Sequence, residues 1–474
     1  MSTSNNYFAV DLGATSGRTM LASFDGTKVT MEEVTRFPNH MIPMGGHLFW
    51  DLPALYHEVL LALKKVASRG IEIDSIGIDT WGCDFAFFGE DGQLLGLPYC
   101  YRDAHTEGAM ERYFKKHDKR ELYDATGIQF MEFNSIFQLD TLRRNDCTAL
   151  EEADKILFIP DALIYMLTGK KVCEYTVAST SQLLNPNTKE LDKKVLKSIG
   201  LKRKRFGKMT QSGTVVGTLS EQVRDFTGLG KVKVVAVAGH DTASAVAAVP
   251  AETSDFAYLS CGTWSLMGVE SPQPIITDAS YESNFTNEGG IDGTTRFLKN
   301  ICGLWLLEQC RAEWTDAPTD IGELSALCET TEFSSTINPD DPSFAHPSSM
   351  TKAIADYCRK TGQAAPETVA EYVRCIFRSL AIRYREVVEL LRTMSVRPIE
   401  CLHVIGGGSL NGYLMQYTAD ELDIPVICGP AEGTALGNVL LQLRAAGKVK
   451  NLEQMRKISA KSVKLKIYES RKLY

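Results

Sequence analysis

The sequence predicts an α/β protein built from two similar halves, and three observations carry that expectation. Strand-like apolar runs alternate with amphipathic helical stretches from end to end. A strand, a glycine turn bearing hydroxyl side chains and a returning strand occur near residues 9–18 and again near 255–270, about 250 residues apart. The length, 474 residues, exceeds what one hydrophobic core holds.

Residues 7–11 form a short apolar run closed by Gly13. Alternating residues 18–24 and 29–37 follow, which predicts an antiparallel meander around turns at Gly13 and Asp25-Gly26. Residues 52–68 place Leu55, Val59, Leu63 and Val66 at helical spacing and stop at Gly70. Runs 73–79 and 232–238 read as strands buried on both faces, the second ending in Gly239-His240-Asp241. The second half opens with strands 255–260 and 266–270 around Cys261–Ser265. A long helix at 366–391, a strand at 401–405, Gly406-Gly407-Gly408, a helix, a strand at 425–428 and a helix from Gly433 complete it. The boundary falls near 241–255, where Pro250 and Asp255 break the pattern. The expected domains are 1–241 and 242–474, sharing a sizeable interface.

Composition narrows the function classes. Apolar residues make up 44% and charged residues 23%, as in ordinary globular proteins. A net charge of −8 argues against nucleic acid or an acidic membrane surface as the main partner. Residues 1–6 are polar, with no basic or signal-length apolar segment, and no apolar run reaches a membrane span. The expectation is a cytoplasmic protein. The 12 cysteines contain no Cys-x-x-Cys pair, and the eight histidines contain no His-Glu-x-x-His, so neither a zinc site nor a zinc hydrolase is supported.

Five constellations could carry chemistry. In Asp11-Leu-Gly-Ala-Thr-Ser-Gly-Arg18, the glycines permit a tight turn, and Thr15, Ser16 and backbone N–H groups suit phosphate oxygens. Asp11 could hold Mg²⁺ directly or through water; a plain hairpin with an acidic strand end explains any one of these residues equally well. Ser260–Ser265 offers the same materials, with Thr263 at its turn, and two such hairpins could grip one polyphosphate. Gly406, Gly407 and Gly408 follow a strand and precede a helix, which lets a flat base or ribose approach bare backbone. Gly239–Thr242 ends a buried strand, where Asp241 could accept a sugar-hydroxyl proton or could cap the following helix. In Asp79–Asp84, Trp81 could stack on a sugar or fill the core, and Gly82 could present its backbone to a hydroxyl. No Gly-x-x-x-x-Gly-Lys-Ser/Thr loop is present, since Gly169-Lys170, Gly207-Lys208 and Gly447-Lys448 lack its other residues.

Together these segments resemble the FGGY carbohydrate kinases over nearly the whole chain. The matching stretches are 10–18 (VDLGATSGR), 74–84 (DSIGIDTWGCD), 96–103 (GLPYCYRD), 239–245 (GHDTASA), 258–267 (YLSCGTWSLM), 286–290 (TNEGG), 298–307 (LKNICGLWLL) and 403–408 (HVIGGG). The resemblance implies two ribonuclease-H-like domains of the actin and hexokinase type flanking a catalytic cleft. It implies ATP and Mg²⁺ as cofactors and a small ketose as substrate, with L-rhamnulose favoured and L-rhamnulose 1-phosphate the product. By the same resemblance, Ala14, Thr15, Ser16, Gly17 and Arg18 lie at the ATP phosphates and Thr263 is the second phosphate contact. Gly406, Gly407 and Gly408 line the nucleotide site, and Glu308 stands where the family often has Gln, with Gln309 next. Trp81, Gly82, His240, Asp241, Thr242 and Asn300 lie at the sugar, and Asp241 corresponds to the catalytic base. The Tyr-Arg-Asp segment continues as Ala104-His105 where an Arg is common. Alternatives are a fuculose or xylulose kinase of the same family, or an actin-fold ATPase that is not a kinase. The expected enzyme is a monomer or homodimer with no nucleic-acid or membrane partner.

Overall fold

The computed structural model describes residues 5–345 and 347–473. Residues 1–4, part of the polar lead-in read above, lie outside the described residues. The expected meander forms as the strands Asn6–Leu12, Ser16–Phe24 and Val29–Pro38, paired antiparallel in succession. The expected helix spans Leu52–Ser68. Asp51 starts it by accepting Ala54 N–H at 3.0 Å, Pro53 occupies the first turn, and Gly70 follows at φ +69°. Its stripe of Leu55, Val59, Leu63 and Val66 is buried in one cluster with Phe8, Val10, Ile76 and Ile78 of the sheet.

Two compact units emerge, and they do not follow a single cut at 241/242. One unit comprises Met1–Pro250, Ser271–Phe297 and Thr434–Ser462. The other comprises Ala251–Glu270, Leu298–Gly433 and Val463–Tyr474. Two late segments thus pack with the first half, because their contacts are long-range and leave no mark in local composition.

The first unit's sheet runs Thr214–Thr218, Lys233–Ala236, Ser75–Thr80, Asn6–Leu12, Ser16–Phe24, Val29–Pro38. Its three middle strands from Lys233 to Leu12 are parallel, and the flanking pairings are antiparallel. A second, seven-stranded sheet runs Lys466–Tyr468, Val426–Cys428, Cys401–Ile405, Phe256–Cys261, Trp264–Ser271, Thr295–Cys302, Thr286–Gly289. Again an antiparallel edge, two parallel pairings and an antiparallel hairpin succeed one another. The repeat seen as two hairpins therefore extends over five successive strands of each sheet.

The glycines of the first hairpin act differently from the sequence expectation. Neither Gly13 nor Gly17 has a positive φ. A Cβ on Gly17 would stand 2.4 Å from the Phe37 ring, so glycine is required there by packing. The turn itself is held by Gly13 N–H on Ser16 O (2.9 Å), and by Asn39, whose N–H and side-chain amide donate to Thr15 O (3.0 Å) and Gly13 O (2.9 Å).

Candidate active site

Parallel pairing brings three strand ends together in the first unit. Asp11 pairs with Asp79, and Leu12 with Thr80, in register. Thr80 N–H donates to Gly239 O at 2.9 Å, and Thr80 bridges to His240. The Asp11, Thr80-Trp81-Gly82 and Gly239-His240-Asp241 segments are thus neighbours at the carboxyl ends of one parallel sheet, the usual place for a ligand in an α/β fold.

The carboxylates there have unlike surroundings. Asp79 is fully buried, and burial, with the nearby charge of Asp11, lifts its carboxyl well above the usual range against the hydrogen bond from Asn438 Nδ2 (2.6 Å). Asp11 instead receives Arg18 at Oδ2, from Nε at 2.9 Å and from Nη2 at 2.7 Å. The paired strand ends therefore differ in their partners, an amide on Asp79 and a guanidinium on Asp11.

Asp241 opens the helix Asp241–Ala247, but His240 is the N-cap. The His240 carbonyl accepts the N–H groups of Ala243 (2.8 Å) and Ser244 (3.2 Å). Asp241 Oδ1 accepts only its neighbour Thr242, from N at 2.5 Å and Oγ1 at 3.1 Å. The capping alternative for Asp241 is thereby corrected: at the first helical position its carboxylate does not serve the helix's later N–H groups. Its side chain keeps 31% of its surface. Burial raises its carboxyl above the ordinary value; His240 opposes that and the charge of Asp11 adds to it.

The loop carrying His240 and Asp241 is tied down from below. Glu174 is fully buried; its Oε2 accepts Gly239 N–H (3.0 Å), Thr176 N–H (2.8 Å) and Val177 N–H (3.0 Å), and its Oε1 accepts Ser212 Oγ (2.7 Å). His240 N–H donates to Thr176 Oγ1 at 3.2 Å. His240 is flanked by Glu288 and Arg296, both buried. Burial pushes Glu288 up, yet Arg296, ahead of His240, holds its carboxyl below the usual range.

Trp81 is 5% exposed, packs on Trp50 with ring centroids 4.4 Å apart, and donates its indole N–H to Asp84 at 2.9 Å. The structure places the ring in the core, the alternative the sequence left open. Asp84, fully buried, also accepts Trp50 Nε1 (2.6 Å), Tyr101 N–H (3.1 Å) and Gln138 Nε2 (2.9 Å). Burial lifts it to about 6 against those four donors. Gly82 lies tight on Thr180, whose Oγ1 would stand 2.8 Å from an added Cβ. His105 is buried against Asp103 (Nδ1 to Oδ1, 2.8 Å), so it braces this loop from within.

In the second unit the Thr263 turn and the Gly406–Gly408 loop are neighbours. Added Cβ atoms on Gly406 and Gly408 would stand 2.9 Å from Cys261 O and 2.3 Å from Cys261 Sγ, so the glycines allow the loop to close on the hairpin. Trp305 N–H donates to Thr263 O at 3.2 Å, joining the hairpin to the helix Trp305–Glu313. Glu308 is exposed on that helix, 3.6 Å from Arg311. Asn300 is half-buried on the strand Thr295–Cys302.

Local sequence patterns assigned no role to the side chains of Asn39, Asp79, Asp84, Glu174, Glu288, Arg296 and Asn438. Two signals could have found some of them: a carboxylate inside the apolar run Ile76-Gly-Ile-Asp79, and Asn438 and Gln442 four apart on an otherwise apolar helix face.

The repeated sheet, with its glycine hairpin in each unit, is the architecture of the actin and hexokinase type of ATPase. Solved structures share it: gluconate kinase of Lactobacillus acidophilus superposes with a TM-score of 0.81 at 17% identity, covering 99% of this chain and 94% of its own. Plasmodium falciparum glycerol kinase with ADP superposes with a TM-score of 0.79 at 17% identity, covering 98% and 94%. Residues 6–248 match the N-terminal domain, and residues 257–446 the C-terminal domain, of the FGGY family of carbohydrate kinases. The chain belongs to that family and is a carbohydrate kinase. The rhamnulokinase of Bacteroides thetaiotaomicron is 57% identical to it, over 98% of this chain and 95% of the relative. The rhamnulokinase of Bacillus subtilis is 40% identical, over 98% and 95%. Among the described residues, no helix is long and apolar enough to cross a membrane.

Proposed function

We propose that the chain transfers the γ-phosphoryl group of ATP to the primary hydroxyl of L-rhamnulose, giving L-rhamnulose 1-phosphate and ADP, in L-rhamnose breakdown in the cytoplasm. The observation that carries the reading is the convergence of Asp11, Thr80–Gly82 and His240–Asp241 at three parallel strand ends. The sugar's identity rests on the 57% identical rhamnulokinase.

Asp241 is the base of this reading. It does not serve as the cap of its helix, it is accessible, and it is more basic than an ordinary carboxylate. As the hydroxyl oxygen bonds to phosphorus and the bond to ADP breaks, the hydroxyl proton passes to Asp241. Gly82, His240, Thr242 and Asn300 hold the sugar. Trp81 supports that wall from the core rather than stacking on it. Ala14–Arg18 and Thr263 hold phosphates through backbone and hydroxyl donors, Gly406–Gly408 hold the nucleoside, and Glu308 faces the nucleotide from its helix.

The residues fit a Mg²⁺ ion of the kind that phosphate brings with it. No cluster of three or more His, Cys, Asp or Glu side chains among the described residues could cage a metal. Mg²⁺ commonly takes one or two carboxylates with waters and phosphate oxygens. Asp11 would hold it, directly or through water, and the ion would neutralise charge on the phosphates.

A panel of L-rhamnulose, L-fuculose and D-xylulose with coupled ADP detection tests the reading. L-Rhamnulose is expected to lead in kcat/KM by about tenfold or more, roughly 1.4 kcal/mol of discrimination. A different leading ketose would reassign the substrate. ATP turnover indifferent to sugar would reject sugar phosphorylation altogether.

A further inference from the structure

Arg296 is fully buried, and its guanidinium faces three groups at once. Nε donates to Gly289 O at 2.8 Å. Nη2 lies 3.0 Å from Glu288 Oε2 and directs a hydrogen bond at His240 Nδ1, 3.1 Å away. Glu288 Oε2 also approaches the same Nδ1, at 3.3 Å, the longer of the two contacts. A guanidinium has no acceptor and stays charged at any working pH. The nitrogen it addresses must therefore be the bare one, and the proton of a neutral imidazole is left on Nε2. Nε2 is the nitrogen that faces Asp241 Oδ1, at 3.5 Å.

We propose that Arg296, balanced by Glu288, is a positioning residue that holds His240 neutral in its Nε2–H form, directing an N–H donor toward Asp241 and the sugar. This rests on the reading of Asp241 as the base. Two consequences follow from the charges. An imidazolium beside Asp241 would weaken the carboxylate as a proton acceptor, and Arg296 prevents its formation. Glu288 is needed because a lone buried guanidinium is costly, and it would favour the imidazolium if Arg296 were removed. The charged and titratable groups around His240 are few. They are Asp241 on its own helix, Glu288 and Arg296 beside the ring, and Glu174 under its loop, with Asp11 and Asp79 acting on Asp241. Nothing in the sequence marks the arrangement, since Glu288 and Arg296 lie about 50 residues beyond His240.

The test uses the full chain, labelled with ¹⁵N in its histidine rings, and identifies the His240 signals by their loss in His240→Asn. Ring ¹⁵N shifts and couplings are expected to report an Nε2–H imidazole near neutral pH. An Nδ1–H ring or an imidazolium there would overturn the proposal. This arm needs neither sugar nor nucleotide, so it stands apart from any failure of the substrate assignment. In Arg296→Gln, the acid limb of kcat is expected to move up by about one pH unit or more as His240 gains its proton. The double variant Arg296→Gln/Glu288→Gln removes both charges and is expected to return that limb toward the parent's. An unshifted limb in the single variant, or a double variant as displaced as the single one, would reduce the pair to a packing role and reject the proposal. Should Arg296→Gln not fold, the ring spectrum of the parent decides alone.

Discussion

Arg18 donates from both Nε and Nη2 to one oxygen of Asp11, and the two residues face each other in the register of the first hairpin. Strand pairing itself thus places the guanidinium on the carboxylate that the proposed reaction gives to Mg²⁺. Arg18 then steadies Asp11, and a phosphate would compete with Asp11 for it.

Asp11→Asn should therefore raise the Mg²⁺ concentration needed for half-maximal activity and lower kcat by about 10² or more. Arg18→Gln should change the melting midpoint little, since a partly exposed pair contributes about 1 kcal/mol or less. A Mg²⁺ titration beside thermal unfolding checks both. An unaltered Mg²⁺ requirement in Asp11→Asn would remove Asp11 from the metal's surroundings.

Asp241→Asn should lower kcat by about 10²–10⁴ while nucleotide binding and melting stay near the parent's. Because His240 is the cap, Asp241→Ala should also fold with little loss, within the roughly 1 kcal/mol of a charge at a helix N-terminus. In the parent, activity should fall as pH drops through the carboxyl's raised value, so the acid limb should lie above the ordinary 3.8. If Asp241→Asn keeps more than about a tenth of parent turnover, only ~1.4 kcal/mol of barrier, Asp241 is not the base.

Asp84 gives a stability signature. Its carboxyl is lifted from 3.8 to about 6 in the fold, so between those values the folded state binds a proton that the unfolded chain releases. Its contribution is complete below the unfolded value and is lost as pH rises through the folded one. Relative to Asp84→Asn, the parent's unfolding free energy should decline by up to about 3 kcal/mol from pH ~4 to ~6.5. Denaturant unfolding of both proteins across that window measures it, and parallel curves would count against a raised Asp84.

Gly437→Ala probes the support beneath the candidate base. A Cβ at Gly437 would stand 1.8 Å from Ser244 O, a backbone atom of the helix that Asp241 opens. Overpacking there should destabilise the protein by about 1–3 kcal/mol and lower kcat by shifting that helix. A fully active variant with an unchanged melting midpoint would show that the contact relaxes freely.

Much of the fold was legible because its signals are local. The helix Leu52–Ser68 and the strand Cys401–Ile405 lie at their expected bounds, and both hairpins form where glycine and hydroxyl residues interrupt apolar runs. Candidate residues at strand ends were legible for the same reason, since a polar group ending an apolar strand stands out. What could not be read was which of them share a neighbourhood.

The sequence by itself determined the α/β alternation, the duplicated hairpins and the placement of Asp11 and Asp241 at strand ends, because periodicity and turn chemistry act over a few residues. Tertiary structure alone decided that Asp79 is paired with Asp11 and has its carboxyl lifted by burial, and that His240 rather than Asp241 caps the helix. It also decided that Trp81 serves the core and that Glu288 and Arg296 enclose His240. Those outcomes depend on sheet register and on contacts between residues tens to hundreds apart, where burial and charge act through space and leave no periodicity in the chain.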